Sequence, residues 1–167
     1  MKKIIITLTL FLLAACGGTE VMTVPTLTVM THDSFAISED TIIAFEKEYN
    51  ANVELLPAGD AGAALNQAIL AKENPLADVF FGVDNSFMSR ALDADIFISY
   101  ETPALSGVDG ALQLDDSYRL TPIDYGDVCL NYDKAWEGDL PTSLSDLTDP
   151  AYNGLLVVEN PATSSPG

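Results

Sequence analysis

Three apolar runs with strand character, each followed by a helix-start signal, constrain this chain more than any other feature. "TLTVM" (Thr26–Met30) alternates as a half-buried strand does. Ser38, followed by Glu39 and Asp40, supplies an N-cap with acids in the first turn, and Ile42, Phe45 and Tyr49 then recur at helical spacing. "NVELL" (Asn52–Leu56) is a second strand, stopped by Pro57. Asp60 caps the next expected helix, on which Leu65, Ala68, Ile69 and Lys72 run to Asn74-Pro75. "DVFFGV" (Asp78–Val83) has the continuous apolar character of a strand buried on both faces, and a short helix is expected from Ser86 to about Leu92. Strand and helix alternating in this way define a doubly wound α/β layer.

The polar segments fall where that architecture places its ligands, at the carboxyl ends of parallel strands. His32, Asp33, Ser34 and Phe35 leave the first strand, "AGDAG" (Ala58–Gly62) leaves the second, and "GVDNS" (Gly82–Ser86) leaves the third. Caps and turns use the same residue types. Three such segments in succession at one edge nevertheless point to a binding site there.

After Ala94 the rhythm changes. "YETPALSGVDGALQLDDSYRLTP" is turn-rich and irregular, as expected of a segment wrapping the first lobe. "IDYGDVCLNYDKAW" (Ile123–Trp136) returns to strand character and is expected to cross over between lobes. Pro141, Thr142 and Ser143 precede a short amphipathic turn with Leu144 and Leu147. "GLLVV" (Gly154–Val158) is expected to be a buried strand, with "NPATSSPG" leaving its carboxyl end.

The amino terminus has a different logic. "MKKIIITLTLFLLAAC" combines two lysines, an apolar stretch and small residues, the n-region, h-region and cleavage site of an export signal. The apolar run is short for a membrane span. Leu13-Ala14-Ala15-Cys16 resembles the lipobox of bacterial lipoproteins, which implies a lipid anchor on Cys16 and a tether beginning at Gly17-Gly18-Thr19. That leaves Cys129 without a partner, so no disulfide framework is expected, and its apolar surroundings read as a buried small hydrophobe. The single histidine argues against a histidine-rich zinc site. The formal charge is −18, and loss of Lys2 and Lys3 with the signal makes it −20, a surface that repels nucleic acid and favours cationic ligands. With 48% hydrophobic residues the chain is expected to fold.

"THDSF" after the first strand, "DVFFGVDN" at the third, "TPIDYGDVCLNYDKAW" and "VENPATSSPG" occur in one order and spacing. As a set they resemble the thiamine-binding substrate-binding proteins of ABC importers, within the iron, spermidine and thiamine group of the type II periplasmic-binding fold. Members have two α/β lobes that close on a ligand. The resemblance therefore implies a fragment: signal peptide 1–15, lipidated Cys and tether 16–26, first lobe 27–122, crossover 123–140 and the opening of a second lobe 141–167. It also implies a lipid-anchored extracytoplasmic protein with no catalytic residue, metal or cofactor, delivering thiamine or a phosphate ester of it to a permease and its ATPase.

Residue by residue, the resemblance places Asp33 and Ser34 beside the ligand, although His32 stands where a tyrosine is common. Asp60 and Ala61 match an Asp-Gly pair, from which Ala61 departs. Asp84 and Asn85 match the third-strand turn, and Tyr125 in "DYG" matches the crossover. Ser164 and Ser165, with Thr163 beside them, match a hydroxyl-rich turn at a helix N-terminus, where backbone N–H groups and hydroxyls can hold a phosphate. Carboxylates and the Tyr125 ring suit the permanent charge of a thiazolium. Two alternatives stay open. Ferric iron or a polyamine is another cargo for the same fold, though a ferric site favours adjacent tyrosines and no Tyr-Tyr occurs. A serine hydrolase built on Ser164 or Ser165 would lack a Gly-x-Ser-x-Gly elbow and would draw its base from His32.

Overall fold

The computed structural model describes residues 23–165. The expected signal peptide, the Cys16 lipidation site and most of the tether lie outside these described residues.

Strand β1 (Thr26–Thr31) leads into helix α1 (Glu39–Tyr49), strand β2 (Asn52–Pro57), helix α2 (Ala61–Leu70), strand β3 (Val79–Phe81) and helix α3 (Met88–Asp93). The three strands form one parallel sheet in the order β2-β1-β3. β1 is central, with Thr26 opposite Asn52 and Thr31 opposite Pro57 on one side, and Val29 opposite Val79 on the other.

Local chemistry accounts for the helix ends. The Ser38 side chain accepts the Thr41 N–H, Glu39 and Asp40 occupy the positive end of α1, and Lys47 sits in its last turn. Asn50 ends α1 in the left-handed region at φ 49°, a conformation its short amide side chain tolerates. Glu46 Oε1 accepts the Val53 N–H at 2.8 Å and so ties α1 to the start of β2. α2 stops at Leu70, before Asn74-Pro75, and continues only as turns.

The core lies between the sheet and α2. Met30, Ala58 and Ala64 form one buried group, and Leu65, Phe87 and Ala91 form a second, with Phe80 packed against both. Leu65, Ala64 and Ala91 are fully buried. The apolar stripe on α1 is only partly covered: Ile42 is half-buried, whereas Phe45 and Tyr49 stack at 4.6 Å on an exposed face.

Three strand expectations require correction. β3 is three residues long instead of six, and Val79 is 44% exposed, so the run is not buried on both faces. As an edge strand it pairs with β1 alone. Asp78 extends that pairing by its carboxylate, which accepts the Thr28 N–H at 2.9 Å, and the chain leaves the ladder at Gly82 with φ +129°. Ile123–Trp136 forms no strand, and neither does Gly154–Val158; Ile123, Tyr125, Val128 and Val157 are exposed. A strand exists only where a neighbour completes its ladder, and among the described residues none lies beside either segment. Cys129 is accordingly exposed, not buried.

The irregular segment behaves as expected. It forms short 3-10 turns at Pro103–Gly107 and Gly110–Leu112 and is pinned by Asp115, which accepts the N–H groups of Ser117, Arg119 and Leu120. Burial alone would raise the Asp115 carboxyl, but these bonds and the Ser117 hydroxyl hold it below its ordinary value. Arg119 reaches back to the Leu92 carbonyl and to Asp95, clasping the segment to the end of α3. A further 3-10 turn at Leu144–Thr148 carries the amphipathic pair, with Leu147 half-buried and Leu144 exposed.

Candidate functional site

The carboxyl ends of all three strands meet at one edge. The loop leaving β1 and the loop leaving β2 hold each other reciprocally: the Asp33 N–H donates to the Gly59 carbonyl at 3.0 Å, and the Gly59 N–H donates to Asp33 Oδ1 at 2.9 Å. Gly59 adopts φ +90°, which a side chain would strain. The loop leaving β3 contacts the loop leaving β1 through Gly82, where an added Cβ would lie 2.9 Å from His32 Cδ2. His32 Nδ1 accepts the Ser34 N–H at 3.2 Å, and Phe81 stacks on both His32 and Phe35.

Asp84 is used locally, its Oδ1 accepting the N–H groups of Ser86 and Phe87 at 2.9 and 3.0 Å. Asn85 is exposed beside it. Asp60 occupies the N-cap position of α2 but makes no side-chain cap bond, so its exposed carboxylate is unengaged at the positive end of that helix. The sequence expectation of a side-chain cap there is corrected on this point. Ala61 follows half-buried in the first turn.

The hydroxyl-rich turn folds back onto this edge. The Gly62 N–H, in the first turn of α2, donates to the Thr163 carbonyl at 3.0 Å. An added Cβ on Gly62 would meet Phe87 Cζ at 2.8 Å and the Thr163 oxygen at 3.1 Å, so only glycine permits this approach. Within the turn, Asn160 organises the backbone. Its carbonyl accepts from Thr163 and Ser164, and its side chain accepts from Ala162. Ser164 is 7% exposed and its hydroxyl donates to the Glu159 carboxylate; Ser165 is half-buried.

Asp33, Ser34, Asp60, Ala61, Asp84, Asn85, Ser164 and Ser165 are thus carried by segments linked through Gly59, Gly62, Gly82 and Phe87. Tyr125 is not among them. It is 83% exposed on an irregular stretch and lines a separate open groove of about 520 Å³ with Val108, Asp109, Leu112, Pro122 and Asp124. Sequence reasoning missed Gly62 and Glu159. A glycine in the first turn of an otherwise alanine-rich helix was the available signal for the first. The second depends on a fold-back that residue type does not encode. Among the described residues, no three His, Cys, Asp or Glu side chains are grouped to hold a metal ion, and no helix is long and apolar enough to cross a membrane.

Residues 74–167 match the bacterial extracellular solute-binding protein family, and the chain belongs to that family. Its members bind solutes and are not an enzyme class. With the parallel β2-β1-β3 sheet, this membership makes the fold the type II periplasmic-binding fold expected from sequence. More particularly, the chain is 31% identical to a thiamine-binding periplasmic protein of Salmonella typhimurium and 32% identical to one of Escherichia coli. Each alignment covers 86% of this chain and 44% of the relative. A thiamine-binding periplasmic protein of Haemophilus influenzae is 27% identical, over 100% of this chain and 50% of its own length. The chain therefore spans about half the length of the relatives it matches. A solved Trichodesmium structure in complex with iron and citrate ligands aligns with 56% of this chain and 29% of its own, at 19% identity and a TM-score of 0.49.

Proposed function

We propose that this chain belongs to an extracytoplasmic protein that captures thiamine and hands it to an ABC permease powered by a separate ATPase. The observation that carries this reading is the hydrogen bond from Gly62 to Thr163, which brings the Ser164–Ser165 turn to the edge already occupied by three strand-exit loops. Asp33, Asp60 and Asp84 give that edge the charge a thiazolium cation requires. The names of the Salmonella, Escherichia and Haemophilus relatives support thiamine over iron or a polyamine.

In this reading residues 27–122 form the first lobe, 123–140 the crossover and 141–167 the opening of a second lobe. Asp33, Ser34, Asp60, Ala61, Asp84, Asn85, Ser164 and Ser165 line the cleft between them. Tyr125 reaches the ligand only when the hinge closes. Residues 1–15 direct export, and a lipid on Cys16 holds the protein at the membrane surface. Catalysis plays no part; binding energy goes into closure and recognition by the permease.

The test is calorimetric titration of thiamine, with spermidine and ferric citrate as comparisons, into the protein expressed to its natural stop codon. Saturable heat with thiamine alone is the expected result. Heat with a comparison ligand and none with thiamine would keep the fold and overturn the cargo.

A further inference from the structure

His32 carries the only imidazole in the chain, and it stands half-buried at the strand-exit edge. Its Nδ1 accepts the Ser34 N–H at 3.2 Å, so that nitrogen presents a lone pair and the ring proton sits on Nε2. The ring is held from the β3 side. Its centroid lies 5.6 Å from that of Phe81, and Gly82 leaves so little room that an added Cβ would come within 2.9 Å of His32 Cδ2. Phe35, whose N–H donates to the His32 carbonyl at 3.1 Å, stacks on the same Phe81 ring at 4.7 Å. The shape of the loop leaving β1 is therefore tied to an imidazole with an unprotonated Nδ1.

Protonation changes both the bond and the charge. An imidazolium has two donors and no acceptor, so the Ser34 N–H would face an N–H in place of a lone pair. The charged groups on the three exit loops are all carboxylates. Asp33 lies beside His32 and accepts the Gly59 N–H, Asp60 on the β2 loop makes no cap bond, and Asp84 on the β3 loop accepts from Ser86 and Phe87. Phe81 and Gly82, which pack against the ring, do not titrate. Among the described residues His32 makes no ion pair, so no fixed partner neutralises a charge on the ring. A cation drawn to these carboxylates would compete with the imidazolium for them.

We propose that His32 is a pH-sensitive positioning residue for the loop leaving β1. Neutral, it holds the Ser34 N–H and leaves the carboxylates to a cationic ligand; protonated, it releases that N–H and repels the cation. The ligand consequence rests on the thiamine reading, whereas the release of Ser34 is a property of the loop.

The first arm of the test needs no ligand. The His32 ring protons and the Ser34 amide are followed by NMR in the 167-residue chain from about pH 8 to about pH 5, the range in which imidazoles titrate and most carboxyls stay ionised. In wild type the Ser34 amide should move on the same curve as the ring. His32→Asn, whose Oδ1 can take the same N–H in an Asx-turn, should leave that amide flat. So should His32→Phe, which keeps a ring to stack on Phe81 but has no acceptor. A Ser34 amide that stays flat in wild type while the ring titrates, or that moves as far in both variants, would overturn the proposal. The second arm titrates thiamine by calorimetry into the protein expressed to its natural stop codon, at the two ends of that range. Wild type should bind about tenfold more weakly or worse at the acid end, and both variants should lose much less. Any titration of thiamine itself is common to all three proteins and cancels. Reciprocally, saturating thiamine should move the wild-type ring transition about one pH unit lower. An equal loss of affinity in wild type and both variants would also overturn the proposal. No binding at either end, alongside a Ser34 transition seen only in wild type, would sink the cargo reading and leave the loop switch standing.

Discussion

Replacing Gly62 by alanine tests whether the turn at Thr163 is truly seated on α2. Two effects oppose each other. Alanine in a helix is favoured over glycine by about 1 kcal/mol, and by less in the first turn, so about 0.5 kcal/mol is gained. Against this, the new methyl would lie 2.8 Å from Phe87 Cζ and 3.1 Å from the Thr163 carbonyl oxygen. Overpacking of this kind costs about 1–3 kcal/mol. Phe87 is buried against Leu65 and Ala91 and has little room to retreat, whereas Pro161 and Ala162 are exposed. The turn should therefore yield, losing the Gly62 to Thr163 bond at a cost of about 1 kcal/mol. The lost bond less the helix gain leaves about 0.5 kcal/mol, and strain remaining against Phe87 brings the expected destabilisation to about 1 kcal/mol or more, read as a lower urea midpoint at unchanged slope. NMR should show the Thr163 and Ser164 amides displaced. An unchanged or raised midpoint with those amides unmoved would refute the packing argument and the assembly of the site with it.

Leu65→Ala should cost about 2–5 kcal/mol, because Leu65 is fully buried and central to the second core group; a thermal scan showing a negligible change would contradict this core. Cys129 should react with a thiol reagent in the folded protein about as fast as in urea, since its side chain is exposed; strong protection would restore the buried reading. The Asp146 carboxyl is lowered to about 2 by the N–H of Thr142, the Ser143 hydroxyl, the Thr142 hydroxyl and the Ser143 N–H. Its folded value lies below the unfolded one, so its contribution is present above the ordinary carboxyl value of 3.8 and is lost as pH falls towards 2. The Thr142 and Ser143 amides should shift through that window, and Asp146→Asn should abolish the transition.

The first half of the fold was legible because its signals are local. Alternation in "TLTVM", the Ser38 cap and the strand run "NVELL" stopped by Pro57 placed β1, α1 and β2 within about a residue of their observed ends. The second half was misread for one physical reason. Apolar content in Ile123–Trp136 and Leu155–Val158 states what a strand would bury but cannot supply the neighbour that pairs with it. The placement of Cys129 failed with it. At the site, Asp33, Asp60 and Asp84 could be located from strand ends, since a parallel sheet puts its loops there. Whether each carboxylate caps a helix, binds another loop or stays free depends on side-chain direction. Asp84 spends its charge on Ser86 and Phe87, while Asp60 does not cap. Similarly, "TSSPG" announced a hydroxyl-rich turn, but not that Glu159 would take the Ser164 hydroxyl.

Mapping thiamine onto the protein by amide shifts tests the central claim most directly. Binding at the strand-exit edge should move the amides of Asp33, Gly59, Asp60, Asp84 and Ser164 along one saturation curve. Shifts confined to Val108, Asp109 and Leu112, or none at saturating thiamine, would place the ligand elsewhere or nowhere and contradict the assignment of this edge.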